Sequence, residues 1–124
     1  MPLTALVVDD SKTIRLALSD ILEILGIKTV AQAANGKEAV EQYDKVRPDL
    51  VFLDIMMPKY DGFYTLEKIR TIDPRAKVFI VTANQSVDVF NKAKKLGAID
   101  IIQKPFGLEL IKKSIAQVTQ KKDQ

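Results

Sequence analysis

The sequence predicts an α/β fold, a doubly wound (βα)5 unit in which one parallel sheet is covered by helices on both faces. Three observations carry that prediction. Five short apolar runs alternate with five segments of helical period, the connections between them are short, and most runs are apolar at every position instead of every second one. Strands buried on both faces have that continuous pattern, whereas a half-solvated antiparallel sheet alternates.

The strand candidates are Leu3 to Val8, Lys28 to Ala33, Leu50 to Leu53, Lys77 to Val81 and Ile99 to Gln103. Each is short and bounded by turn residues, which separates it from a buried helix. The first helix carries Ile14, Leu18, Ile21, Leu22 and Leu25 on one stripe and stops at Gly26. The second carries Ala39, Val40, Tyr43 and Val46 and stops at Pro48; Asn35 followed three residues later by Glu38 predicts a capping box at its start. Leu66 and Ile69 mark a short third helix that ends before Pro74. Phe90, Ala93 and Lys94 mark a fourth, stopped by Gly97, and Leu108, Ile111, Ile115 and Val118 mark a fifth that runs to a charged tail, Lys121 to Gln124. Right-handed crossovers then place helices on both faces. The 124 residues suit one domain, 1–124, with no linker, repeat or low-complexity stretch.

Composition removes several classes of function. With no cysteine and no histidine there is no disulfide, no thiolate or imidazole metal site and no Ser-His or Cys-His nucleophile pair. Any metal must be held by oxygen. The first basic residue is Lys12, and no apolar run approaches the roughly 18 residues a membrane span needs, so the expectation is a soluble cytoplasmic protein without membrane insertion. Residues 1–74 hold 9 Lys+Arg against 12 Asp+Glu, and residues 75–124 hold 10 against 4. The basic half has its lysines singly and in pairs without interleaved aromatics, which favours a solvated face or an acidic protein partner over direct contact with nucleic acid.

Ligands of such sheets bind at the carboxyl ends of the strands, where the strand order reverses. The residues found there are Asp9 and Asp10 after the first strand, Asp54 closing the third, Thr82 and Ala83 after the fourth and Lys104 after the fifth. Singly, each is ordinary: Asp is a turn residue and a lone Lys is usually solvated. Together, three carboxylates on one edge repel one another unless a cation sits among them. A hard oxygen site of this kind suits Mg²⁺, with Mn²⁺ as a substitute, better than Ca²⁺, for which no twelve-residue acidic loop exists. A carboxylate beside such an ion can also act as a nucleophile toward phosphorus, with a lysine and a hydroxyl bonding the other phosphoryl oxygens.

Four segments resemble a known family. Val7-Val8-Asp9-Asp10-Ser11, the loop Leu53-Asp54-Ile55-Met56-Met57-Pro58-Lys59-Tyr60-Asp61-Gly62, Val81-Thr82-Ala83 and Lys104-Pro105-Phe106 are similar to the motifs of response-regulator receiver domains of two-component signalling, of the stand-alone CheY-like kind. The resemblance runs from Leu3 to about Thr119. It implies a flavodoxin-like sheet of strand order 2-1-3-4-5. It makes Asp54 the phosphoacceptor, Asp10 a direct Mg²⁺ ligand, Asp9 a ligand through water, and Met56 the donor of a backbone carbonyl. Thr82 would bond a phosphoryl oxygen through its hydroxyl and Ala83 through its amide, and Lys104 would pair with the phosphoryl group. The Lys104 to Pro105 bond is expected to be cis, and Gly62 to occupy a positive φ.

The implied function is a phosphorelay signalling protein without an output domain. It would take its phosphoryl group from a histidine kinase or phosphotransfer protein and contact an effector through the fourth helix, fifth strand and fifth helix, as a monomer or weak dimer. It would assist only its own phosphorylation and dephosphorylation. One departure touches the switch: three residues before Lys104, where the family has Tyr or Phe, stands Ile101. Two other readings compete, besides a relay or sink of phosphate. A Mg²⁺-dependent phosphatase would have a second acid two residues after its nucleophile, where this chain has Met56. A flavin-binding flavodoxin would have a Ser/Thr-rich phosphate loop where Asp9 and Asp10 would repel the anion.

Overall fold

The computed structural model describes residues 3–57, 61–84 and 86–119. Pro58, Lys59 and Tyr60 of the quoted segment Leu53 to Gly62, Gln85, and Lys121 to Gln124 fall outside them. Within that range the elements alternate as expected: β1 (Thr4–Val8), α1 (Lys12–Ile24), β2 (Lys28–Ala33), α2 (Gly36–Val46), β3 (Leu50–Asp54), α3 (Gly62–Ile72), β4 (Val78–Thr82), α4 (Val87–Lys95), β5 (Asp100–Gln103) and α5 (Leu108–Thr119). All strand pairs are parallel, in the order β2-β1-β3-β4-β5.

Alternate residues of the strands feed two cores. Leu6, Val8, Val51, Leu53, Val78 and Ile80 point to the face covered by α2, α3 and α4, which contribute Ala39, Tyr43, Leu66, Ile69 and Ala93. Ala5, Val7, Phe52, Phe79, Val81 and Ile102 point to the other, where Leu18 and Leu22 of α1 and Ile111 and Ile115 of α5 cover them. The rings of Phe52 and Phe79 stack at 5.3 Å between centroids. The two faces explain why β3 and β4 are apolar without alternation: every residue of both is buried.

The strand ends differ from expectation by single residues. Leu3, Lys77 and Ile99 lie just outside their strands. Leu3 and Lys77 each offer a carbonyl to a neighbouring strand, and Ile99 donates its amide to Val78, so each contributes one bond at the mouth of a ladder. The capping box is displaced. Asn35 accepts the Glu38 amide through its side chain, but Glu38 reaches the amide of Ala34, at 2.9 Å, and not that of Asn35. Asn35 itself is extended, at φ −157° and ψ 172°.

The conformation expected of Gly62 is also corrected. Positive φ among the glycines belongs to Gly26 and Gly97. Gly62 is required for close approach instead: a Cβ there would lie 2.5 Å from the Ile55 Cα and 2.6 Å from the Asp54 carbonyl oxygen. Its amide donates to the Ile55 carbonyl at 3.0 Å, so the first turn of α3 sits directly on the end of β3. The Lys104–Pro105 bond is cis.

Candidate functional site

β1 and β3 are neighbours on opposite sides of the point where the strand order reverses, and their carboxyl ends deliver the three acids to one place. One carboxylate oxygen from each of Asp9, Asp10 and Asp54 lies within 4.8 Å of the other two. Asp9 and Asp54 are each 3% exposed, whereas Asp10 faces solvent. The backbone fixes the buried pair. Asp9 Oδ1 accepts the Ser11 amide at 2.9 Å as α1 begins, and Asp54 Oδ1 accepts the Met56 amide at 3.2 Å.

The cation expected among these acids is already supplied in part by the chain. Lys104, half-buried at the end of β5, places its Nζ 2.7 Å from Asp9 Oδ2 and 3.6 Å from Asp54 Oδ2. Burial nevertheless raises the Asp54 carboxyl above its ordinary value, and the charge of Asp9 pushes in the same direction. Lys104 and the Met56 amide oppose them, and Asp10 adds a smaller upward push.

Thr82 ends β4 and is buried, its hydroxyl accepting the Asn84 amide at 3.1 Å, and its carbonyl accepts the Lys104 amide at 2.9 Å. That bond ties β4 to the lysine. Ala83, next in the chain, is exposed with nothing but a methyl on it. Met56 turns its side chain outward, 63% exposed, and packs no core. Ile101 is half-buried. With Thr82, Asn84, Ser86, Phe90 and Gln103 it lines a hollow of about 170 Å³ between α4 and β5.

The donor set fits a hard divalent cation. Three carboxylates converge without nitrogen or sulfur, and one ammonium leaves two negative charges among them when all are ionised. The roles of three residues at the edge were not foreseen from the sequence. Ser11 is the N-cap of α1, a position its type and place could have signalled. Arg15 and Gln32 join the acidic loop to β2 through side-chain bonds, and a single cation on a helix or a single amide on a strand gives no signal of that.

Residues 5–116 match the response regulator receiver domain family. The chemotaxis protein CheY of Thermotoga maritima is 41% identical over 101 residues, 82% of this chain and 84% of that one. Sporulation initiation phosphotransferase F of Bacillus subtilis is 38% identical over 110 residues, 89% of this chain and 88% of that one. Among solved structures, one chain of the CheX-CheY-BeF3-Mg+2 complex from Borrelia burgdorferi superposes with a TM-score of 0.93 at 31% identity, covering 96% of this chain and 90% of that one. Similarity of this extent, falling on a sheet of order 2-1-3-4-5 with acids, threonine and lysine at its carboxyl edge, shows that the chain belongs to the response regulator receiver domain family.

Proposed function

We propose that this receiver domain, residues 1–124, takes a phosphoryl group onto Asp54 from a histidine kinase or phosphotransfer protein in the cytoplasm and passes the signal on by protein contact. The observation that carries the reading is the Asp54 carboxylate: buried, raised, and within reach of both an ammonium and two other acids. In this reading Asp54 Oδ attacks phosphorus, the bond from phosphorus to the donor's imidazole nitrogen breaks, and the electron pair leaves with that nitrogen. The Thr82 hydroxyl, which accepts from the Asn84 amide, still has its proton to donate to a phosphoryl oxygen. The Ala83 amide is a second donor, and Lys104 Nζ needs only to leave Asp9 to meet the new anion.

Asp10, Asp54, the Met56 carbonyl and, through water, Asp9 would hold Mg²⁺ or Mn²⁺. Such an ion, when bound, supplies positive charge that offsets the charge of phosphate and acids together. The name of the CheY relatives supports a chemotaxis-like role, and that of the sporulation phosphotransferase supports a second reading, a relay of phosphate to another protein. The effector face is α4, β5 and α5, where Val87, Phe90, Leu108 and Leu110 are exposed beside Lys92, Lys94 and Lys95. Incubation with acetyl phosphate or candidate kinases, followed by intact-mass measurement and capture of partners under a phosphate mimic, tests the reading.

Two results are expected along with it. Mg²⁺ should raise the thermal midpoint as its occupancy rises, since a ligand of the native state alone stabilises by mass action. Asp10→Ala should remove that response and leave the metal-free protein as stable or more so, one like charge being gone. A midpoint indifferent to Mg²⁺ in the unsubstituted protein contradicts the metal site. At position 101, the short, stiff isoleucine has little surface to expose, so Ile101→Ala should leave the amide shifts produced by beryllofluoride nearly intact in the residues from Ala83 to the start of α4. Loss of those shifts in the variant would make Ile101 the switch.

A further inference from the structure

Arg15 lies one turn into α1, and its guanidinium is divided between two partners. One nitrogen, Nη1, donates to the Asp9 carbonyl oxygen at 2.7 Å; Nε donates to Gln32 Oε1 on β2 at 3.1 Å. The carbonyl belongs to the peptide that joins Asp9 to Asp10. The rest of Asp9 is engaged as well: its amide bonds the Ala33 carbonyl, Oδ1 the Ser11 amide and Oδ2 the Lys104 ammonium. The Asp10 carboxylate, in contrast, is exposed and accepts no hydrogen bond among the described residues. No contact of its own among the described residues holds it beside Asp9 and Asp54, so its place depends on the peptide plane before it.

We infer that Arg15, anchored by Gln32, is a positioning residue that fixes the Asp9–Asp10 peptide plane and thereby aims the Asp10 carboxylate at the divalent-cation site. The inference rests on the proposed metal site and adds a role for a residue that touches neither the ion nor the phosphoryl group. A guanidinium suits the task because its planar fork bonds two acceptors in fixed directions, which an ammonium does not. Charge alone argues the other way. A cation near the acids opposes a second cation, so an Arg15 that acted only through its charge would weaken metal binding, and its loss would tighten it.

Three forms of the full chain separate these effects: unsubstituted, Arg15→Lys and Gln32→Ala. Arg15→Lys keeps the charge and loses the fork; Gln32→Ala changes no charge and touches only the anchor, at an exposed position. Mg²⁺ affinity is measured by titration of the Asp10 and Ser11 amide shifts, and the thermal midpoint without metal reports folding. Partners that orient metal ligands cost about 10- to 100-fold in affinity when removed. Because this brace acts through one peptide plane, we expect about 10-fold weakening in Arg15→Lys and roughly 3-fold in Gln32→Ala, with little change in the metal-free midpoint. Equal or tighter Mg²⁺ binding in both variants overturns the brace. No Mg²⁺ response in the unsubstituted chain overturns the metal reading itself, and the brace with it.

Discussion

Asp54→Asn is expected to abolish phosphoryl labelling and, in metal-free buffer at neutral pH, to raise the thermal midpoint by a few degrees. The first effect follows from chemistry: an amide oxygen lacks the anionic electron pair that a carboxylate brings to phosphorus. The second follows from linkage. In the folded protein burial and the Asp9 charge raise the Asp54 carboxyl above 3.8, its ordinary value, so between the unfolded and folded values the native state binds more of that proton than the unfolded chain does. Stability therefore falls as pH rises through the window between the two values, and above that window the whole penalty is present. Asparagine has no proton to lose. Its advantage should be seen at neutral pH and vanish in acid, where Asp54 is protonated in both states. Lys104, 3.6 Å away, offsets part of the penalty and limits the gain. Label that persists in the variant, or forms equally well with Mg²⁺ chelated, would remove Asp54 from its role. A lower midpoint at neutral pH would mean that Lys104 more than compensates the buried charge.

Gly62→Ala should cost about 3 kcal/mol, the upper part of what overpacking a core costs. The added carbon would stand 2.5 Å from the Ile55 Cα and 2.6 Å from the Asp54 carbonyl oxygen, inside any allowed contact, and both obstacles are backbone. No rotamer change relieves them. Either α3 slides off the end of β3, breaking the Gly62 amide bond to Ile55, or β3 bends and carries Asp54 with it. Gly26→Ala is the comparison, because φ there is +82° but the space is open, so the strain is confined to the backbone at about 1 kcal/mol. Urea unfolding of the two variants measures the difference. A loss at Gly62 no greater than at Gly26 would show that α3 yields easily and that the close approach is not a constraint.

Much of this was legible in the sequence because burial on both faces removes ambiguity. A strand such as Leu50–Asp54, buried on both faces, is apolar throughout its first four residues, and five such runs separated by helical stripes leave few topologies. The acids, Thr82 and Lys104 were legible for a related reason: each follows directly on a recognisable strand, so the edge they share is known before any contact is. What the sequence hid lies in connections across elements. Gly62 looks like a turn glycine, since pattern reports the need for no Cβ but not whether φ or a neighbouring strand imposes it. The starts of α3 and α4 carry little apolar stripe and are set by Asp61 and Ser86, each accepting an amide three residues on. The Arg15 side chain has no partner within its own helix among the described residues. Its acceptors are six residues back and seventeen residues ahead, and only the β1–β2 pairing makes them adjacent.

The bond from Lys104 to Asp9 spans 95 residues, the longest reach among the side-chain hydrogen bonds described. A chain that has emerged only as far as α4 already owns every acid of the site but not the ammonium that restrains them. Arrival of β5 completes the electrostatics in one step, and β5 is a four-residue strand at the margin of the sheet, laddered to β4 alone. Closing a loop over such a separation costs chain entropy, which the packing of β5 on β4 must offset. A departure of β5 from β4 would return the acids to their unscreened condition, so that the charge balance of the carboxyl edge depends on the strand that completes the sheet.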